Sequence, residues 1–330
     1  MAIFDSTSED ATLDALVGNL MTKMDSNTKG LIASLPPYQS WILASTHNTM
    51  IDYWHYTGND TYADETASGI VTQAGPQGDF SGSISPGNDD ALWWGLTCIS
   101  AAEYKLPTSQ VGGNTTDWLE LAKEVFHSVI ARWQPDMCGP GAGGLRWQID
   151  IGHEGYKYKN AITQGLAFQL AARLAALTRK NSYEEWASKL FDTSLDAGLI
   201  DKSTHQVKDG IHAPVCSQPA DERWSYNAGV FMYGAAVMTS LNSSSDGERD
   251  THWQDHAKGF ISAAISDFTR DKILYEPRCE DTSTCNTDQQ TFKSYLARWM
   301  GMTATLLPEL RGEVSEVLKA SKSSIGKCTS

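Results

Sequence analysis

Two kinds of helical segment alternate along this chain, and that alternation constrains the fold more than any single motif. Segments near 116–134 and 249–270 carry a polar stripe opposite an apolar one, as an outer layer of helices does. Segments near 160–180, 225–241 and 288–306 are filled with Ala, Gly, Leu, Phe and Met nearly all round, which suits burial on every side. The full helical reading is 9–33, 38–57, 60–74, 88–105, 116–134, 160–180, 182–198, 225–241, 249–270, 288–306 and 308–322. Convincing strand runs are few. Only a short hairpin, around Leu145–Ile151 and Tyr156–Lys159, is expected.

The connections repeat the pattern. Long Gly-, Pro- and Asp-rich stretches near 75–87, 135–159, 199–224 and 271–287 each precede an inner segment. Loops of that length inside a compact domain usually serve a purpose. If the inner helices run parallel, their N-termini and these loops gather at one rim. No shift in composition marks a domain boundary, so residues 1–330 read as one all-α domain, a helical toroid of two concentric layers.

The segment SPGNDDALWWGLTCISAAEY, Ser85 to Tyr104, places two acids at such a rim. Pro86 and Gly87 make a turn, Asn88 offers an N-cap, and Asp89 and Asp90 open the helix ahead of Trp93 and Trp94. Acids in a first turn complement the helix dipole whatever their function. Other inner segments begin with polar groups as well: Lys159 and Asn160, Tyr226 and Asn227, Gln290 and Lys293. Just upstream lie Arg146, Trp147 and Gln148, then Asp209 and His212, then Arg223 and Trp224. Sugar-cleaving sites combine carboxylates with amides, hydroxyls and aromatic rings in this way. Asn160 and Asn227 also fit plain N-caps, and Trp93, Trp94 and Trp299 fit the core.

Two adjacent carboxylates pose a physical problem. A retaining glycosidase needs one ionised nucleophile and one protonated acid about 5–5.5 Å apart. A helix N-terminus favours ionisation of both, whereas their mutual repulsion holds one proton if the site is dry. Neighbours in the first turn can both face a cavity, and the shorter separation argues for retention over inversion.

Composition removes several other classes. A net charge of -14 speaks against nucleic-acid binding and leaves no polybasic membrane patch. There is no run of ~18 apolar residues, and the start, MAIFDSTSED, is too polar for a signal peptide. No HExxH, GxSxG, P-loop or dinucleotide fingerprint occurs, and neither a metal nor a cofactor is expected. His252 and His256 stand at i, i+4 on an outer segment and read as surface residues. The six cysteines lack paired C-x2-C spacing. Cys279 and Cys285 flank the polar loop EDTST and are expected to pair, the other pairings staying open. Sequons at Asn59, Asn114 and Asn242 join the even cysteine count in favouring a secretory protein whose targeting segments have been trimmed.

With these residues in place, the chain resembles glycoside hydrolase family 76, the α-1,6-mannanase family, and most of all its fungal cell-wall branch. The segments NDDALWWGLTCISAAEY, CGPGAGGLRWQI, YKNAITQGLAFQLAARLA, DGIHAPVC, WSYNAGVFMYGAA and DQQTFKSYLARWM carry the resemblance. It implies an (α/α)6 barrel and a retaining mechanism, with Asp89 as nucleophile and Asp90 as acid/base. It further implies that Asp209, in the DGI segment, binds sugar near the point of cleavage, with His47 and Asn48 as further contacts. The branch is usually GPI-anchored, although no hydrophobic attachment tail follows Cys328. For function it implies a transglycosidase that recognises the mannose of the GPI core glycan and transfers anchored mannoproteins onto cell-wall glucan. A secreted endo-α-1,6-mannanase is the alternative, and a non-catalytic carbohydrate-binding protein the second. The expected location is the cell wall or the outer face of the plasma membrane.

Overall fold

The computed structural model describes residues 8–25, 31–32, 40–81, 87–107, 110–111, 114–217, 219–241 and 251–325. These fall into two compact units, Met1–Ser128 and Val129–Ser330. The first holds helices α1 (Ser8–Lys23), α2 (Ser40–Thr57), α3 (Ala63–Gln73), α4 (Asn88–Tyr104) and nearly all of α5 (Trp118–Ile130). The second holds α6 (Ala161–Thr178), α7 (Asn181–Asp196), α8 (Ser225–Leu241), α9 (His252–Phe268), α10 (Thr287–Leu306) and α11 (Arg311–Ile325).

The alternation is present in both units. In α4, α6 and α8 almost every residue is buried, whereas α7 and α9 bury one face. Inner neighbours run parallel, as matched contacts show. Trp41 lies 5.4 Å from Trp93, and His55 at the other end of α2 stacks on Tyr104 at 3.8 Å. In the second unit Gly165 faces Val230 and Phe231, and one turn on Phe168 faces Gly234. Tyr226 stacks on Phe292 at 3.9 Å, and Gly229 lies against Leu296 and Trp299. The N-termini of α6, α8 and α10 therefore share one end of that unit. A Cβ at Gly165 or Gly234 would enter the facing side chain, so close packing of these buried helices requires glycine there.

Two expectations need correction. The first helix ends at Lys23 instead of running to 33, and Met24–Asp25 pairs antiparallel with Leu31–Ile32. The intervening SNTKG is poor helix sequence, which ends the apolar period early. The second concerns the hairpin. Tyr158–Asn160 does form a strand, but its antiparallel partner is Gly210–His212. Leu145 is unavailable for pairing because the Gln164 side chain takes both its N–H (3.1 Å) and its carbonyl (2.9 Å).

Cys279 and Cys285 are bonded, and a second disulfide joins Cys138 to Cys216. Cys98 is a buried free thiol in α4, and Cys328 lies outside the described residues. The bridges close loops of very different size, with separations of 78 and 6 residues. Replacing the Cys138–Cys216 pair by serines is expected to cost about 4 kcal/mol, against about 2 kcal/mol for Cys279–Cys285. Urea unfolding of the two double variants checks the ranking.

His252 is exposed, but His256 is half-buried, edge-on to Phe191 at 4.6 Å and 3.0 Å from Nε2 of His205 through its Nδ1. Burial, with the nearby charges of His252 and His205, pushes His256 down to about 4, and burial lowers His205 too. Below pH ~6.5 an unfolded chain binds protons that these folded histidines refuse. Their contribution to stability is thus complete above that pH and is lost as pH falls towards 4. In urea titrations at pH 7, 5.5 and 4.5, His256→Gln should show a shallower loss than the parent chain.

Candidate active site

Asp89 and Asp90 sit where α4 begins. The N-cap is the extended Gly87 and not Asn88, which is the first helical residue. Asp90 is buried and its Oδ2 accepts the Gly87 N–H at 3.0 Å. Asp89 is half-buried, with Oδ1 accepting the Asp90 N–H at 3.0 Å. A Cβ on Gly87 would stand under 3.0 Å from Asp89 Oδ1 and from Asp90 Oδ2. Two oxygens that close to one point are separated by less than twice that distance. That is below the ~6.5–9.5 Å at which inverting enzymes hold their acids apart. Successive helical side chains diverge by about 100°, so the convergence depends on the missing side chain at Gly87.

The packing below the acids accounts for other candidates. Trp94, one turn beyond Asp90, is buried and stacked on Phe80 at 5.0 Å. His47 is fully buried, its ring over Gly69 and 5.8 Å from Trp94. Asn48 is buried and donates to the Leu96 carbonyl at 3.4 Å. Trp94, His47 and Asn48 thus belong to the packed α2–α4 pair. Phe80 is buried with them.

The second unit assembles its own polar cluster around Asp209, which immediately precedes the strand Gly210–His212. Its Oδ2 accepts the Tyr158 hydroxyl at 2.9 Å and its Oδ1 accepts Asn227 Nδ2 at 3.1 Å. Burial pushes the Asp209 carboxyl up, and the two donors only partly offset this. The Tyr158 hydroxyl is likewise pushed up, by burial first and then by Asp209. The Tyr158 ring lies on Gly210, with exposed His212 at 4.8 Å and half-buried Trp147 edge-on at 6.4 Å. Asn227 Oδ1 and Gln148 Oε1 are buried acceptors with no protein partner. Asn160 occupies the N-cap of α6, buried, without the capping bond expected of it. Such a group of acceptors, donors and ring edges can recognise several hydroxyls of a sugar.

Tyr226 faces another way: its ring is stacked on Phe292, with Trp224 edge-on to the same ring at 5.5 Å. Lys293 pairs with Glu280 Oε1 at 2.6 Å beside an open pocket of about 500 Å³ that Cys285 and Gln290 also line. Two residues, Tyr158 and Glu276, escaped the sequence reading of the site. Tyr158 is hidden among the four tyrosines and lysines of YKYK. Lys159, named above at the start of an inner helix, is fully buried, donating to Gly143 O at 2.7 Å, and burial lowers it to about 8. The GG of the GGLRW segment makes room for it, since a Cβ at Gly144 would meet the lysine stem. Glu276 is fully buried against Ser225, and no local signal separates it from neighbouring acids.

The profile of glycosyl hydrolase family 76 matches residues 8–330, through both units. The chain belongs to this family. Its all-α fold is the family's (α/α)6 barrel. A curated relative, the mannan endo-1,6-alpha-mannosidase DCW1 of Saccharomyces cerevisiae, is 35% identical over 323 residues, covering 96% of this chain and 68% of its own length. The chain spans about two thirds of the length of the curated family 76 relatives it matches. Among solved structures, Dfg5 from Chaetomium thermophilum in complex with glucosamine is 32% identical with a TM-score of 0.86, covering 97% of this chain and 80% of that one. An inactive double-aspartate variant of the α-1,6-mannanase GH76A of Salegentibacter sp., in complex with α-1,6-mannotetrose, is 22% identical with a TM-score of 0.67, covering 85% and 76%.

Proposed function

We propose that this chain is a retaining α-mannoside-processing enzyme formed by one family 76 catalytic domain over residues 1–330. The observation that carries the reading is the convergence of Asp89 and Asp90 over Gly87, closer than inversion allows. Two carboxylates this close do not readily both ionise, so one holds a proton. In the first step the Asp89 carboxylate attacks the anomeric carbon. The glycosidic C–O bond breaks and Asp90 gives its proton to the departing oxygen. In the second step Asp90 takes the proton of an incoming hydroxyl, whose oxygen displaces Asp89 from the anomeric carbon. The names of the curated relatives support an α-1,6-mannoside as the donor. So does the Salegentibacter variant, in which two adjacent aspartates are replaced. Asp209, Asn227, His212, Trp147, Gln148 and Asn160 would bind sugar, with Trp94, His47 and Asn48 supporting the acids from within α2 and α4. Tyr226 and Lys293 would lie at the margin of the site.

The incoming hydroxyl decides between transfer and hydrolysis. We assign transfer, with the mannose of a GPI core glycan as donor, cell-wall glucan as acceptor, and action at the wall or outer membrane face. Among the described residues no helix is long and apolar enough to cross a membrane. The test is to incubate the protein with a labelled GPI-core-like mannoside, with and without laminari-oligosaccharide, and to weigh the products. A mannoside–glucan conjugate is expected. Free mannoside alone at every acceptor concentration would make the protein an endo-α-1,6-mannanase, the activity its curated relatives are named for.

A further inference from the structure

We propose that Glu276 is a positioning residue: through Ser225 it fixes the first turn of α8 and thereby sets the Asn227 amide on the Asp209 carboxylate. This rests on the reading above, in which Asp209 faces the sugar. Glu276 comes from the connection between α9 and α10, far from α8 in sequence, and is completely buried. Its Oε1 accepts both the Ser225 hydroxyl and the Ser225 N–H, the latter at 3.2 Å. These bonds satisfy a donor that a helix start leaves open, and they place an anionic group at the positive end of α8. Two residues on, Asn227 is also fully buried, and its Nδ2 holds Asp209 Oδ1 at 3.1 Å. The route from Glu276 to Asp209 is therefore a two-residue step within the first turn of α8, with a hydrogen bond at each end.

On its other side Glu276 is itself held. Its N–H donates to Glu280 Oε1 at 3.1 Å, the same oxygen that accepts Lys293 Nζ at 2.6 Å. The charged groups bearing on Glu276 are thus Glu280 and, from α10, Lys293. Burial pushes its carboxyl up to about 7 despite the Ser225 bonds. A carboxylate kept in the interior at that cost, with all its bonds spent on the start of one helix, is better explained by what that helix must hold in place than by stability.

The test is a double-mutant cycle on affinity for α-1,6-mannotriose, by calorimetry, in an Asp90→Asn background so that ligand is not consumed. Glu276→Gln keeps the shape and one acceptor but cannot take both Ser225 donors as an anion. It is expected to weaken binding about 10-fold, and Asp209→Ala more. If Glu276 acts through Asp209, adding Glu276→Gln to Asp209→Ala should cost nothing further, whereas independent effects would multiply. Ser225→Ala, which removes the hydroxyl alone, should reproduce the Glu276→Gln loss, and Glu276→Asp should recover part of it. Circular dichroism melts confirm that each variant is folded. Multiplying effects, or a Glu276→Gln affinity equal to the parent's, would overturn the inference and leave the functional reading standing. An Asp209→Ala affinity equal to the parent's would instead remove Asp209 from the sugar site, and this inference with it.

Discussion

Asp89→Asn and Asp90→Asn are each expected to lower turnover of an α-1,6-mannoside by at least about 10²–10⁴-fold without moving the thermal transition by more than about 2 °C. General acid–base assistance alone accounts for a factor of that order, and loss of the nucleophile removes the covalent route altogether. The two variants should separate by substrate. With an activated aryl mannoside, whose leaving group needs no proton, Asp90→Asn should recover much of the first step, whereas Asp89→Asn should not. Folding should survive because asparagine keeps an acceptor of nearly the same shape. In Asp90→Asn the side-chain oxygen can still take the Gly87 N–H that closes the start of α4. Near-parent turnover of a mannoside with a poor leaving group, in either variant, would end the assignment. The same geometry gives Gly87→Ala a large effect on rate, since the new Cβ would stand between the two carboxylates.

The acid pair was legible because its partners are adjacent in sequence and lie in a first turn, where helix geometry alone decides what they can do. The layers were legible for a related reason. A segment apolar all round has nowhere to go but the interior, and α6 and α8 show it. Contacts made across long stretches of chain were not. The Tyr158–Asn160 strand was paired in the sequence reading with its neighbour, although its true partner is fifty residues away, because local pattern carries no information on loop closure. Trp94 fitted a sugar site and the core alike, since a tryptophan near a rim looks the same whether its face meets solvent or, as here, the ring of Phe80. Glu276 shows the limit most plainly. It stands four residues from Glu280 and five from Asp281 in a polar loop, yet it alone is buried. Only the fold reveals that Ser225 is waiting for it.

Phe168→Ala should destabilise the chain by about 3–5 kcal/mol, the range for a phenylalanine removed from a packed interior. At roughly 2 °C per kcal/mol for a chain of this length, the transition should fall by about 6–10 °C. Phe168 is fully buried on the inner helix α6 and meets rings from three others: Phe231 of α8 at 5.9 Å, Phe191 of α7 at 5.3 Å and Trp253 of α9 at 5.8 Å. Two of those rings are braced in turn, Phe191 by His256 and Phe231 by Phe260. They cannot all move in to fill the void, so the cost should lie towards the upper end. The vacated space would also border Gly234, whose place opposite Phe168 exists because the two inner helices approach so closely. Phe168→Leu keeps much of the volume and should cost less than half as much. Because the Asp209–Asn227 contact lies more than a turn away along α8, affinity for α-1,6-mannotriose well below the transition should match the parent's. Differential scanning calorimetry and a mannotriose titration decide the matter together. A loss under about 1 kcal/mol would mean that the four helices collapse onto the cavity, and the close approach at Gly234 would then not be what fixes their spacing.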